Sequence, residues 1–346
     1  MSRTGDGQLR ALLVEDLSTQ RVRLVSALQA DGDIAVDCLS TSDDAVERVE
    51  ATRPDVVILD LSSTDGHPTH TIEQIMAHIP TPILVLSTRI HDRQSPSAVD
   101  ALVAGALDAL PRPDQWSAEL GVELRRAVRQ LSKVPVIRHP RGNRGSAPRR
   151  PGVRTPAEQP VIAVAASTGG PSALATLLPG LAGLNAPVLV VQHLHPDFTR
   201  GLVEWMSRVS ALPVRTAVHQ ELARPGQVYF APGGRHLRYA PSGRLQLSES
   251  PKTAHTPSAD ELFVSIAESA GRSAIGVLLT GMGEDGALGL LEIRRRGGRT
   301  LAQDEASSTV FGMPRAAARL GAVSELLPIE KMADAIQRAV RELTLT

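Results

Sequence analysis

Ser167 stands in the run Ala166-Ser167-Thr168-Gly169-Gly170-Pro171-Ser172, directly after the apolar stretch 161–165. A serine in that setting rides on a strand-to-helix turn: the glycines let the backbone turn tightly, and Pro171 suits the first turn of a helix. A hydroxyl is a weak nucleophile, so its chemistry requires a base within hydrogen-bond reach and a third group that orients the base. Taken alone, the stretch equally suits a glycine-rich phosphate cradle at a helix N-terminus. Two further strand ends bear on the choice. The apolar run 188–191 leads into Gln192-His193-Leu194-His195-Pro196, and the run 275–279 leads into Thr280-Gly281-Met282-Gly283-Glu284-Asp285-Gly286. Serine, histidine and acid thus leave three strand ends, where a parallel sheet brings its loops together. They come in the order Ser, His, Asp, whereas lipase-type folds run Ser, Asp, His and carry a GxSxG elbow that this stretch lacks. Each member also has a plainer role. His193 and His195 are spaced as a pair of metal ligands, but no nearby carboxylate or cysteine completes a set. Asp285 suits a helix cap, and Glu284 is a rival acid or a solvent-facing side chain.

A second set of reactive groups lies nearer the N-terminus. Glu15 and Asp16 follow the apolar run 11–14, and Asp60 follows the run 56–59. Three carboxylates held close repel one another, and a hard divalent cation is the usual remedy. Ser87 ends the next apolar run, 83–86, and Arg112 follows a fifth strand beside Pro113.

The elements that must position these groups follow from periodicity. The runs 11–14, 56–59 and 83–86 are short, apolar and bounded by polar or turn residues, as buried parallel strands are. Val22, Val25 and Leu28 recur near helical spacing, as do Leu120, Leu124, Val128 and Leu131. The alternation is βαβ-type and predicts a doubly wound parallel sheet over 8–131. Strand candidates 161–165, 188–191 and 275–279 are each followed by helical stretches, the last by 287–296, so residues 159–346 form a second α/β domain. No internal repeat relates the halves. Between them, 132–158 is rich in Pro, Gly and Arg, nearly free of acids and without an apolar period. It is expected to be an extended, mobile linker, with a basic run able to touch an acidic partner.

Composition bounds the function. A chain of 346 residues is expected to hold about two domains. Aromatic residues make up 2% against 42% hydrophobic overall, so the cores must rely on Ala, Val, Leu and Ile. The 37 basic and 37 acidic residues balance, which argues against a nucleic-acid-binding surface. Cys38 is the one cysteine, leaving no internal disulfide and no multi-cysteine metal site. The leading MSRTGDGQLR lacks the apolar run of a signal peptide, and no apolar stretch is long enough to span a bilayer. A cytoplasmic protein without membrane insertion is expected.

The acids, Ser87 and Arg112 give residues 8–131 a pattern that resembles the receiver domain of response regulators. The resemblance implies a flavodoxin-like fold, Asp60 as phospho-acceptor, and Mg²⁺ held by Glu15, Asp16 and Asp60. It also implies Ser87 and Arg112 as the groups that sense the phosphoryl group, with the histidine kinase of a chemotaxis system as partner. Three features depart from that family: Arg112 replaces its lysine, the loop LSSTDG after Asp60 is short and lacks a Met-Pro pair, and no aromatic residue lies near 107–110. The planar fork of arginine is no equivalent of a compact ammonium.

From Gln159 onward the chain carries ASTGGP, VVQH followed by DFT, APGGRHL (231–237), LLTGMGEDGALGL (278–290) and AQDEASSTVFGMPRAA (302–317). These motifs, in this order, closely resemble the catalytic domain of chemotaxis protein-glutamate methylesterases of the CheB type. The resemblance implies a Rossmann-like α/β esterase with Ser167 as nucleophile, His193 as general base and Asp285 as its orienting acid. Thr168 and the Met282 amide are implied as oxyanion stabilisers, and the esterase needs no cofactor. Its substrates would be methylated chemoreceptors, with glutamine deamidation as a second activity. His195 stands where that family has proline. Two other function classes fit the same residues: a signalling scaffold with an idle catalytic site, and a general small-ester hydrolase.

Overall fold

The computed structural model describes residues 8–39, 41–42, 44–61, 68–87, 96–113, 115–134, 136 and 159–345. They fall into two compact units, one within 1–139 and one within 140–346. Most of the expected linker, 135 and 137–158, lies outside the described residues, as does most of the loop after Asp60 (62–67).

The first unit alternates strands β1 (Leu9–Val14), β2 (Ile34–Leu39), β3 (Val56–Asp60), β4 (Ile83–Ser87) and β5 (Asp108–Pro111) with helices. These are α1 (Ser18–Gln29), α2 (Ala45–Thr52), α3 (Pro68–His78), α4 (Pro96–Ala104) and α5 (Ala118–Leu131). The sheet is parallel in the order β2-β1-β3-β4-β5. β3 and β4 are buried along their whole length, as expected of strands covered on both faces. The helical pattern needs one correction. In α1 the core-facing residues are Leu24 and Leu28, while Val22 is 69% exposed. At about 100° per residue, Val22 lies roughly 200° around the helix from Leu24 and points away from the sheet. Helix α5 opens on Ser117, whose hydroxyl accepts from the Leu120 amide at 3.3 Å. Its Arg125 and Arg129 fasten the helix to Asp31 and Asp33 before β2.

The second unit contains β6 (Val161–Ala166), α6 (Gly170–Leu177), β7 (Val188–Gln192), α7 (Pro196–Val209), β8 (Val214–Thr216) and β9 (Val228–Phe230). A hairpin, β10 (His236–Tyr239) and β11 (Leu245–Ser248), follows. The remainder is α8 (Ala259–Ala270), β12 (Ala274–Leu278), α9 (Ala287–Arg295), β13 (Arg299–Gln303), α10 (Met313–Arg319), β14 (Glu325–Leu327) and α11 (Ile329–Leu345). Seven strands form a parallel sheet in the order β14-β13-β12-β6-β7-β9-β8. From β6 the chain runs outward through β7 to one edge, then returns to β12 on the other side. The order therefore reverses at β6, and a crevice opens there beyond the carboxyl ends of the strands. Helices α8, α9 and α10 supply Leu262, Phe263, Ile266, Leu290, Ile293, Met313 and Ala317 to the core on one face of this sheet. Phe263, Tyr229 and Phe230 are the largest fully buried side chains, in a core otherwise built mainly of Ala, Val, Leu and Ile.

Candidate active site

Strand register brings two of the singled-out residues side by side. Ala166 at the end of β6 pairs with Gln192 at the end of β7, so Ser167 and His193 are the first residues beyond two neighbouring strand ends. The His193 amide donates to the Ala166 carbonyl at 2.9 Å, and the Ser167 amide donates to Thr280 on the other side at 3.0 Å. Buried Gln192 bridges the two turns: its Nε2 donates to the Ser167 carbonyl at 2.8 Å and to the His193 carbonyl at 2.9 Å. Gly169 has φ +77°, and a Cβ there would meet the Thr309 side chain at 2.5 Å. The turn after Ser167 therefore requires glycine on both conformational and steric grounds.

The loop after β12 closes the site from the opposite side. A Cβ on Gly281 would lie 2.7 Å from Ser167 Cβ and 2.3 Å from Met313 Sδ, so a bare backbone is what allows this loop to touch the serine turn. The Gly281 amide donates to Val310, and its carbonyl accepts from the Gly312 and Met313 amides. Met282 is thus presented from a turn pinned on both sides. Thr168 is held through its carbonyl, which accepts from Thr280 Oγ1 at 3.0 Å.

Asp285 reaches His193. Its Oδ2 lies 2.8 Å from His193 Nε2, within hydrogen-bond reach although the ring is not turned onto the oxygen. Such alignment commonly tightens only once substrate is bound. The His193 ring also stacks on His255, with centroids 4.4 Å apart and 13° between the planes. Asp285 does cap a helix, but α8 rather than the helix that follows it. Oδ1 accepts from Ser258 Oγ at 2.9 Å and the Asp260 amide at 3.1 Å, and Oδ2 accepts from the Ala259 amide at 2.8 Å. Burial alone would raise the Asp285 pKa, but the histidine and these amides outweigh it and hold the carboxyl well below the usual range. Glu284 is exposed. His195 sits 3.6 Å from Asp197 and edge-on to Phe198, and no metal-holding group of His, Cys, Asp or Glu occurs among the described residues.

Two supports escaped the sequence reading. His236 is fully buried; its Nδ1 accepts from the Ser258 amide at 3.1 Å, so Nε2 carries the proton and donates to the Pro251 carbonyl at 2.8 Å. It thereby fixes the segment entering α8. Asp260 accepts from the Gly289 amide at 2.7 Å. Burial first, and then the neighbouring Asp285 charge, push its pKa up to about 6. A carboxyl raised in this way binds its proton more tightly folded than unfolded. Its contribution to stability is therefore greatest in acid and falls as the pH rises from the ordinary carboxylate range to about 6. Asp260→Asn is accordingly expected to raise the urea midpoint more at about pH 8 than at about pH 4. An equal change at both pH values would contradict this account.

In the first unit, Glu15 and Asp60 leave the adjacent strands β1 and β3 and are 1% and 2% exposed. Arg112, 8% exposed, reaches both: Nη1 donates to Glu15 Oε2 at 3.0 Å, and Nε lies 2.9 Å from Asp60 Oδ2. The Leu17 amide occupies Glu15 Oε1 at 2.9 Å. Burial and the Asp60 charge together push the Glu15 pKa up to about 7, against the pull of Leu17 and Arg112. Ser87 is buried at the end of β4, where its carbonyl accepts from the Arg112 amide at 2.9 Å. Asp16 is half-buried.

Residues 162–336 match the family model for CheB methylesterase, and residues 11–118 match that for the response regulator receiver domain. A protein-glutamate methylesterase/protein-glutamine glutaminase 2 of Anaeromyxobacter dehalogenans is 43% identical, with 98% of each chain covered. The chain belongs to the CheB methylesterase family. The protein-glutamate methylesterase FrzG of Myxococcus xanthus is 43% identical over 86% of this chain and 88% of its own. The solved catalytic domain of Thermotoga maritima CheB methylesterase is 34% identical over 52% of this chain and 98% of that one, with a TM-score of 0.49.

Within a CheB-type receiver the expected Mg²⁺ ligands can be tested against the geometry. Mg²⁺ requires free oxygens in near-octahedral array and retains several waters. Glu15 and Asp60 instead face a guanidinium in a closed pocket, and no three acids converge there among the described residues. Glu15, Asp16 and Asp60 as arranged do not fit a divalent-cation site.

Proposed function

We propose that this chain hydrolyses glutamyl methyl esters on chemoreceptors with Ser167 as nucleophile, His193 as base and Asp285 as the acid that orients the base. The observation that carries the reading is the convergence of strand ends at the reversal of the sheet, with His193 Nε2 2.8 Å from Asp285. Once substrate binding turns Nε2 onto the acid 2.8 Å away, Nδ1 is left to take the serine proton as Oγ bonds to the ester carbonyl. The Met282 amide and Thr168 steady the oxygen as it becomes anionic, and preorganised donors do this without reorganising in the transition state. His193 then returns the proton to the leaving oxygen, methanol departs and an acyl-serine remains. Water, deprotonated by the same histidine, attacks the acyl group and releases the glutamate side chain and free serine. A glutamine side chain passes through the same acyl-serine with ammonia leaving, so deamidation belongs to the proposal. Asp285 is kept ionised by His193 first and by the start of α8 second, as a group that balances a developing imidazolium must be.

The proposal extends to the receiver: in this reading the protein acts in the cytosol under a kinase of a two-component system. Asp60 is the acceptor in this reading, with Ser87 and Arg112 facing the phosphoryl group. Methanol release from methylated receptor, set beside cleavage of a small chromogenic ester, tests the substrate. Receptor turnover is expected at rates the small ester does not match, and a chain that cleaves only the small ester is a general hydrolase. In the full chain, a small acyl phosphate is expected to raise methanol release, and Asp60→Asn to abolish the response. A response surviving in Asp60→Asn puts the acceptor elsewhere.

A further inference from the structure

We propose that Arg112 is the built-in cation of the receiver pocket, holding Glu15 and Asp60 where a divalent ion would otherwise bridge them, so that the unphosphorylated protein does not take up Mg²⁺ there. Three observations carry this. The guanidinium makes two separate contacts, one to each carboxylate, at 3.0 and 2.9 Å. All three side chains are nearly closed to solvent, at 6% or less exposed, whereas Mg²⁺ gives up its hydration reluctantly and keeps several waters when bound. The Arg112 backbone is itself fastened to the end of β4 through Ser87, so the side chain reaches back into the pocket from a fixed base.

Arginine is suited to this position in a way lysine is not. Its charge persists at any accessible pH, and its fork serves two carboxylates at once. Lysine offers a single compact ammonium on a flexible stem, which can turn aside and leave room for a second cation. An ion entering the wild-type pocket must instead displace both arginine contacts or share the same two oxygens with a fixed positive charge. The consequence is a receiver whose two buried acids share one positive charge supplied from within the chain, and whose folding and stability are indifferent to Mg²⁺.

The test uses Mg²⁺ alone, with no phosphoryl donor, so its outcome is independent of the esterase reading and of whether Asp60 accepts a phosphoryl group. Full-length wild type, Arg112→Lys and Arg112→Ala are titrated by calorimetry, and their thermal unfolding is followed with Mg²⁺ at constant ionic strength. Wild type is expected to show no saturable heat and no Tm shift up to about ten millimolar Mg²⁺, since a ligand that binds the folded state must raise Tm. Arg112→Lys is expected to gain saturable binding at least about tenfold tighter, with a matching Tm rise. Adding Asp60→Asn to it should remove both. If Arg112→Ala unfolds readily because two buried acids lose their counter-ion, Mg²⁺ should restore its Tm, and Arg112→Lys still decides the matter. Saturable wild-type binding equal to that of Arg112→Lys overturns the proposal. So does failure of both variants to bind, since the arginine is then not what keeps the ion out.

Discussion

Ser167→Ala is expected to lower methanol release from methylated receptor by roughly a millionfold, the loss seen when the attacking oxygen of a serine triad is removed. The size follows from the mechanism: without Oγ no acyl-serine forms, and what remains is the modest assistance of substrate binding and oxyanion donors to direct attack by water. The substitution is structurally mild here. Alanine keeps the Cβ that packs against Gly281, and the bonds holding this turn run through the Ser167 amide and carbonyl. Tm and near-UV circular dichroism should therefore match wild type. A well-folded variant retaining a tenth of wild-type activity would remove Ser167 from the mechanism.

His193→Gln is expected to cost about as much, roughly a millionfold, because nucleophile and base act as a unit. His195→Gln, two residues away, should leave the rate within about a factor of three, because its half-buried ring packs at the start of α7 against Asp197 and Phe198. The contrast rests on position. His193 faces Asp285 at 2.8 Å in the crevice, whereas His195 begins α7 beside Asp197 and Phe198. The pH profile separates a base from a merely structural residue. Wild-type activity should fall in acid as the base acquires a proton, and the residual activity of His193→Gln should lose that limb. If His195→Gln proved the damaging change, the two histidines have been assigned the wrong way round.

Much of the fold was legible because buried parallel strands declare themselves as short apolar runs. Stretches 161–165, 188–191 and 275–279 lie in or overlap β6, β7 and β12. The helical pattern was less informative where both faces carried apolar residues. Val22 satisfied the spacing yet points to solvent, while Leu24 packs inward. The short strands β8, β9 and β14 and the hairpin β10–β11 gave too few residues for a period to register.

The sequence by itself determined which side chains stand at strand ends, and therefore which reactive groups gather at one edge of each sheet. That follows from strand alternation and chain order, both local properties. Tertiary structure decided what each group touches. Asp285 serves both His193 and the first amides of α8. Gln192 ties its own turn to Ser167, 25 residues earlier, and Thr280 reaches Thr168 across 112 residues. Arg112 lies across Glu15, 97 residues away, and draws two of the three expected metal ligands, Glu15 and Asp60, into an internal ion pair. Periodicity reports which side of an element is apolar. It carries no record of the polar partner opposite, because that partner is set by how distant elements stack, and a buried polar group takes whichever donor or acceptor that stacking supplies.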